Sequence, residues 1–256
     1  MIPKTGVFHL TIFTILLNSL CFGSSPVSHI SGLPIIFNYL PSTYAGEPQN
    51  WGAVQDSRGM MYFANTEGIL EYDGVSWRMI RLPKGETCRS LLTAKDGTLF
   101  VAAFNEIGRL LPNPSGNVEY HSLKSKLPAQ NNEFSDVWSI AELGGKIYFS
   151  TYFQIFIFDG TNITVVNSMR SILSLKAIDN KIIVLRKDER PQKLEGSEFV
   201  PIASPNSPLP EDIYLPLPTD DGKLLFILKN GSFYKLNNSI FEKFSDGIAG
   251  VLGGKT

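Results

Sequence analysis

A turn signal that returns about every 41 residues is what most constrains this chain: Gly59, Gly97, Gly145, Asn180 and Gly222 span 163 residues in four steps. Each sits between two short apolar runs. In the first unit, residues 50–77, the apolar runs 51–54, 60–64 and 69–72 are separated by Asp56-Ser57-Arg58-Gly59 and Asp73-Gly74. Runs of that length divided by such turns predict short antiparallel strands joined by hairpins. Gly suits the turns because it tolerates positive φ, and Asp because its side chain can hydrogen-bond the turn backbone.

The pattern recurs. The second unit predicts strands at 89–94, 98–103 and 108–111, and the third at 136–141, 146–150 and 155–158. The fourth, at 172–178 and 181–185, is more degenerate, and the fifth has 213–217, 223–228 and 232–236. Residues 248–255 echo residues 140–146 with one residue inserted, as the start of a sixth unit. The predicted fold class is therefore all-β, a β-propeller of four-stranded blades, incomplete, with five blades and the start of a sixth. Because a propeller protects its sheet edges by closing its ring, a chain that stops inside a strand pair is expected to be a fragment.

Composition excludes some classes. A hydrophobic content of 43% fits a folded core. With 23 basic and 24 acidic residues the net charge is −1, and no single-sign run of five occurs, so nucleic-acid binding through this region is not expected.

Residues 1–23 are a different material: Lys4, an apolar run over 7–20, then Cys21-Phe22-Gly23-Ser24-Ser25. This reads as a secretory signal peptide cleaved after Gly23, with an uncleaved anchor and a lipoprotein modified at Cys21 as alternatives. Without the leader, Cys88 is the only cysteine, so no intrachain disulfide is expected and Cys88 reads as a buried small hydrophobe. The expected domains are the signal peptide, 1–23, and a partial propeller, 35–256. Residues 35–39, Ile-Ile-Phe-Asn-Tyr, are a candidate strand with no local partner, expected to close the ring by joining the final blade.

The run Gln55-Asp56-Ser57-Arg58-Gly59-Met60-Met61-Tyr62-Phe63-Ala64-Asn65 with Gly68-Ile69-Leu70-Glu71-Tyr72-Asp73-Gly74 resembles the two-component regulator propeller repeat of bacterial sensor proteins. The resemblance covers residues 35–256, most closely the first three units. The fourth unit departs from it, with Asn180 at the turn and no Tyr-Asp-Gly. The resemblance implies an extracytoplasmic, ligand-sensing propeller of a two-component or transcriptional regulator, of the kind followed by a triple-tyrosine domain, a membrane span and an output module. It implies periplasmic or extracellular placement and contact with the membrane through a C-terminal part beyond this chain; a homodimer is one candidate assembly, and the sequence does not decide the oligomeric state. A secreted glycan-acting propeller enzyme and an interaction scaffold are the alternatives.

No catalytic motif is legible. Ala249 to Thr256 formally match a relaxed phosphate-binding loop, but that loop needs a helix after it, and the repeat already accounts for these residues. Gly74-Val75-Ser76-Trp77 resembles half of a sialidase Asp box but has Tyr72 where that motif has Asp. His9, His29 and His121 are isolated, so no metal and no cofactor are expected.

Propellers bind ligands at one mouth of the central channel. Trp51, Arg89 and Trp138 lie near the starts of successive inner-strand candidates, and Asn105 and Glu106 in a strand-connecting loop. Aromatic faces and an Arg suit a sugar, an acidic glycan or another small ligand. The competing reading makes the aromatics blade packing, Arg89 a turn or salt-bridge residue, and the loop pair solvated polar groups.

Overall fold

The computed structural model describes residues 36–208, 210, 212–219 and 223–245. The chain forms two compact units, Met1–Asn38 and Tyr39–Thr256. Of the first, the described residues 36–38 are exposed and irregular. The leader, Gly222 and residues 248–256 lie outside the described residues.

Among the described residues the second unit has twenty strands in five antiparallel sheets, each in simple chain order. Blade 1 comprises β1 (Asn50–Gln55), β2 (Met61–Asn65), β3 (Gly68–Tyr72) and β4 (Trp77–Ile80). Blade 2 follows with β5 (Cys88–Thr93), β6 (Leu99–Ala103), β7 (Glu106–Pro112) and β8 (Val118–Ser122). Blade 3 has β9 (Ser139–Leu143), β10 (Lys146–Ser150), β11 (Gln154–Phe158) and β12 (Ile163–Asn167). Blade 4 contains β13 (Ile172–Ile178), β14 (Lys181–Arg186), β15 (Gln192–Glu195) and β16 (Glu198–Pro201). Blade 5 has β17 (Ile213–Pro218), β18 (Leu224–Leu228), β19 (Phe233–Asn237) and β20 (Ile240–Ser245). The first strands touch in the order β1, β5, β9, β13, β17, which makes them the inner strands.

Side chains alternate across each sheet, and both faces are used. In β6, Leu99, Val101 and Ala103 pack on blade 1. Phe100 and Ala102 turn to blade 3, where Phe149, Phe156 and Phe158 meet them. In β14, Ile182 and Val184 face blade 3, and Ile183 and Leu185 face blade 5. This is why the second strands of blades 2, 3 and 4 read as apolar runs rather than alternating ones.

The degenerate fourth unit is a full blade. Asp179 and Asn180 both have positive φ, 48° and 53°, as a two-residue type I′ hairpin requires, and Asx residues tolerate that region. The missing Gly there is a change of turn chemistry, not of topology.

The ring-closing role expected for residues 35–39 is not tested by this chain, and Ile35 lies outside the described residues. Residues 36–40 form no strand. Tyr39 joins a cluster of aromatic rings. Trp77 is the centre of that cluster, stacked on Tyr72 at 4.3 Å and ringed by Tyr39, Tyr44 and Phe63 at 5.3 to 5.5 Å. A short helix, α1 (Pro41–Tyr44), brings Tyr44 there. The cluster covers the face of blade 1 opposite blade 2.

Hairpin turns rest on carboxylates, among them those of Asp73 and Asp159. Asp73 accepts from the backbone N–H of Val75 and Ser76, and Asp159 from those of Thr161 and Asn162, at 2.6 to 2.9 Å. The Ser76 and Asn162 amides, first among these donors, hold the two carboxyl groups below the usual carboxylate range. A depressed folded pKa gives stability that is present above the unfolded value, about 3.9, and lost as pH falls through the folded one. On acidification below about pH 4, the melting temperature of the native protein is expected to fall more steeply than that of an Asp73→Asn, Asp159→Asn variant, whose amide oxygens still accept but carry no charge. Thermal melts followed by circular dichroism check this; parallel curves contradict it.

Candidate functional site

The inner strands share an irregularity that the strand pattern alone does not reveal. In β1, Asn50 pairs with Asn65 and Gly52 with Ala64, so Trp51 between them has no partner. In β5, Cys88 pairs with Ala103 and Ser90 with Ala102, leaving Arg89 unpaired. Leu173 in β13 and Tyr214 in β17 are skipped in the same way. In blade 3, Trp138 stands just before the ladder begins at Ser139, its N–H donating to the Ser150 carbonyl at 2.9 Å. A bulge re-aims the side chain of its extra residue. Each blade thus presents one side chain at the same end of its inner strand.

Three of these side chains meet. The Arg89 guanidinium lies 4.1 Å from the ring centre of Trp51 and 4.8 Å from that of Trp138, and the two indoles meet edge to face at 5.8 Å. Arg89 Nε donates to Asp136 Oδ1 at 2.6 Å, in a setting where both side chains are less than one-fifth exposed. Asp136 reaches this position because a single antiparallel bridge ties it to Phe104. Trp51 Nε1 donates to Thr66 Oγ1 at 3.4 Å. Trp138 also touches Tyr152, 5.9 Å away. The cluster spans blades 1, 2 and 3.

Arg89 and Asn105 line one shallow cleft of about 310 Å³. Asn105 shapes the loop there: its φ is 51°, its amide donates to Glu133 at 2.8 Å, and the Phe134 N–H donates to its Oδ1 at 3.0 Å. Glu106 requires a correction, since it opens β7 rather than lying in a loop, and it is only 5% exposed. Its Oε1 accepts from Tyr120 OH at 2.9 Å, Ser122 Oγ at 2.7 Å and the Ile107 N–H at 3.0 Å. Gly108 makes this possible, because a Cβ there would stand 2.3 Å from the Tyr120 ring. Burial, with the Glu106 charge beside it, pushes the Tyr120 phenol up. Cys88 is fully buried and burial pushes its thiol up, in keeping with a core residue.

Two further clefts continue from Trp138 along the same edge. One, of about 380 Å³, is lined by Trp138, Ser139, Thr151, Tyr152, Leu173 and Ser174. The next, of about 630 Å³, runs from Leu173 past Lys187 and Asp188 to Ile213 and Lys229. Neither Leu173 nor Tyr214 is singled out in the sequence, although for Leu173 a signal exists: Cys88-Arg89-Ser90, Val137-Trp138-Ser139 and Ile172-Leu173-Ser174 share a buried residue, a large residue and a Ser.

Among the described residues no group of His, Cys, Asp and Glu stands close enough to hold a metal ion. No helix of the described residues is long and apolar enough to cross a membrane.

The fold defined by these sheets is a β-propeller. No protein-family model matches the chain, and no curated protein matches it. Solved structures similar to it include virginiamycin B lyase from Staphylococcus aureus with quinupristin, at 15% identity and a TM-score of 0.57, covering 77% of this chain and 70% of that one. The extracellular domain of a B. thetaiotaomicron protein assigned as a hybrid two-component system is similar at 16% identity and a TM-score of 0.56. That match covers 77% of this chain, which spans 28% of the other. The WD40 propeller domain of Doa1 is similar at 10% identity and a TM-score of 0.53, over 78% of this chain and 72% of that one. At such identities these are likenesses of fold.

Arg89 ties three blades together, so its loss has a structural cost. Arg89→Ala is expected to lower stability by about 1–3 kcal/mol, from lost cation–π contacts and an unpaired Asp136. Asp136→Asn, which keeps an acceptor, is expected to cost less. Urea unfolding followed by tryptophan fluorescence measures both; an Arg89→Ala variant as stable as the native protein contradicts the assignment.

Proposed function

We propose that this chain is the extracytoplasmic, ligand-receiving propeller of a bacterial two-component or transcriptional regulator, with a glycan as its ligand. The observation that carries the reading is the convergence of Trp51, Arg89 and Trp138 from three inner strands onto one edge of the blades. The repeat pattern and the fold likeness to an extracellular domain of a two-component protein support the signalling half of the proposal. The leader-like residues 1–23 support export.

The chemistry of the edge narrows the ligand. Trp51 and Tyr152 are 37% and 40% exposed, so each keeps part of a ring free for the apolar face of a sugar. Ser139 adds a half-buried hydroxyl group beside them. Arg89, already paired with Asp136, does not act as a free cation. An anionic ligand has to displace that carboxylate, whereas a neutral, hydroxyl-bearing one does not. A neutral oligosaccharide therefore fits better than an acidic one.

Titration calorimetry with panels of neutral and acidic oligosaccharides tests this. Neutral members are expected to bind, and Trp51→Ala and Trp138→Ala each to weaken binding by about tenfold or more. No binding by either panel overturns the ligand reading. Appearance of cleaved products in the same mixtures favours the glycan-acting enzyme instead.

A further inference from the structure

We infer that the ligand footprint extends along the whole row of bulged residues, one per blade, and that Leu173 and Tyr214 set the length of oligomer the propeller accepts; this rests on the reading of Trp51, Arg89 and Trp138 as a ligand site. The row is defined by register. The ladder skips one residue at the same place in β1, β5, β13 and β17, and Trp138 stands at the equivalent place before β9.

A bulge also increases local twist, which accounts for the irregularity as a feature of the fold. Twist does not account for what occupies it. Leu173 and Tyr214 are large residues left 58% and 65% exposed, although Ile172, immediately before Leu173, is buried. Neither side chain is used by a core cluster. Exposed large side chains held at the same position of successive strands form a contact surface rather than packing.

The clefts run the same way. Leu173 lines both the cleft that contains Trp138 and the larger cleft that reaches Ile213, the residue before Tyr214. Packed sheets stand on the order of 10 Å apart and their inner strands come closer, some Cα atoms lying within 8 Å, so two blade steps from Trp138 to Tyr214 cover somewhat less than about 20 Å. That span exceeds a single sugar ring. The acidic and basic groups of the larger cleft offset one another, Lys229 lying 3.2 Å from Asp212, which again suits an uncharged chain. The ligand class is an extended neutral oligosaccharide laid across the blades, with its first rings at Trp51 and Trp138 and its later ones at Leu173 and Tyr214.

The test is chain-length dependence of binding. Neutral oligosaccharides of one series, from disaccharide to hexasaccharide, are titrated into the native protein and into Leu173→Ala and Tyr214→Ala variants, whose exposed positions leave the fold intact by circular dichroism. Native affinity is expected to rise with chain length, and each variant to lose about tenfold in affinity for the hexasaccharide while binding the disaccharide as the native protein does. Tyr214→Phe, which keeps the ring, is expected to retain the gain. If Trp138→Ala weakens binding while Leu173→Ala and Tyr214→Ala bind every length as the native protein does, the extended footprint is overturned and the three-blade site stands. If no member of the series binds the native protein, both fall.

Discussion

Burial of both faces of the second strand in blades 2, 3 and 4 is the interaction on which the rest of the structure depends. All five residues of β6 are buried, three against blade 1 and two against blade 3. Each large apolar side chain so placed contributes about 1.5–3 kcal/mol relative to exposure. A strand that serves two interfaces cannot slip by one residue, because a slip exchanges every contact on both sides. The fixed middle strands set the register of the inner strands beside them, and thus the places where the ladder skips. The site is a consequence of that register.

Much of this was legible in the sequence, for a physical reason. A strand buried on two faces must be apolar throughout, and a tight turn must carry Gly, Asn or Asp, so the repeat is written in residue types that have few substitutes. Blade 4 shows where such reading weakens. Asp179-Asn180 meets the same φ requirement as a Gly turn by a different chemistry. The aromatic cap on blade 1 was harder to see, because Tyr39 and Tyr44 reach Trp77 through tertiary packing that no local period announces.

The site was legible in part. Trp51, Arg89 and Trp138 attract notice as aromatic and charged residues at strand starts, and they do come together. Asn105 and Glu106 attract notice for the same polarity, yet adjacent residues separate in role: one shapes a loop and the other is an acceptor inside blade 2. Polarity alone does not distinguish a carboxylate facing a ligand from one that satisfies a buried Tyr and Ser. Leu173 is missed for the opposite reason, since an apolar residue in an apolar strand stands out only when its tripeptide is set beside those of Arg89 and Trp138, and the pairing then shows that it is skipped.

The most direct measurement of this account is native-state hydrogen exchange across the whole chain. If burial on both faces of the middle strands holds the fold, amides of β6, β10 and β14 should be the most protected and should share one opening free energy, with the outer strands β8, β12 and β16 exchanging well before them. Middle strands that open blade by blade at separate free energies, or outer strands protected as strongly as β6, would contradict it.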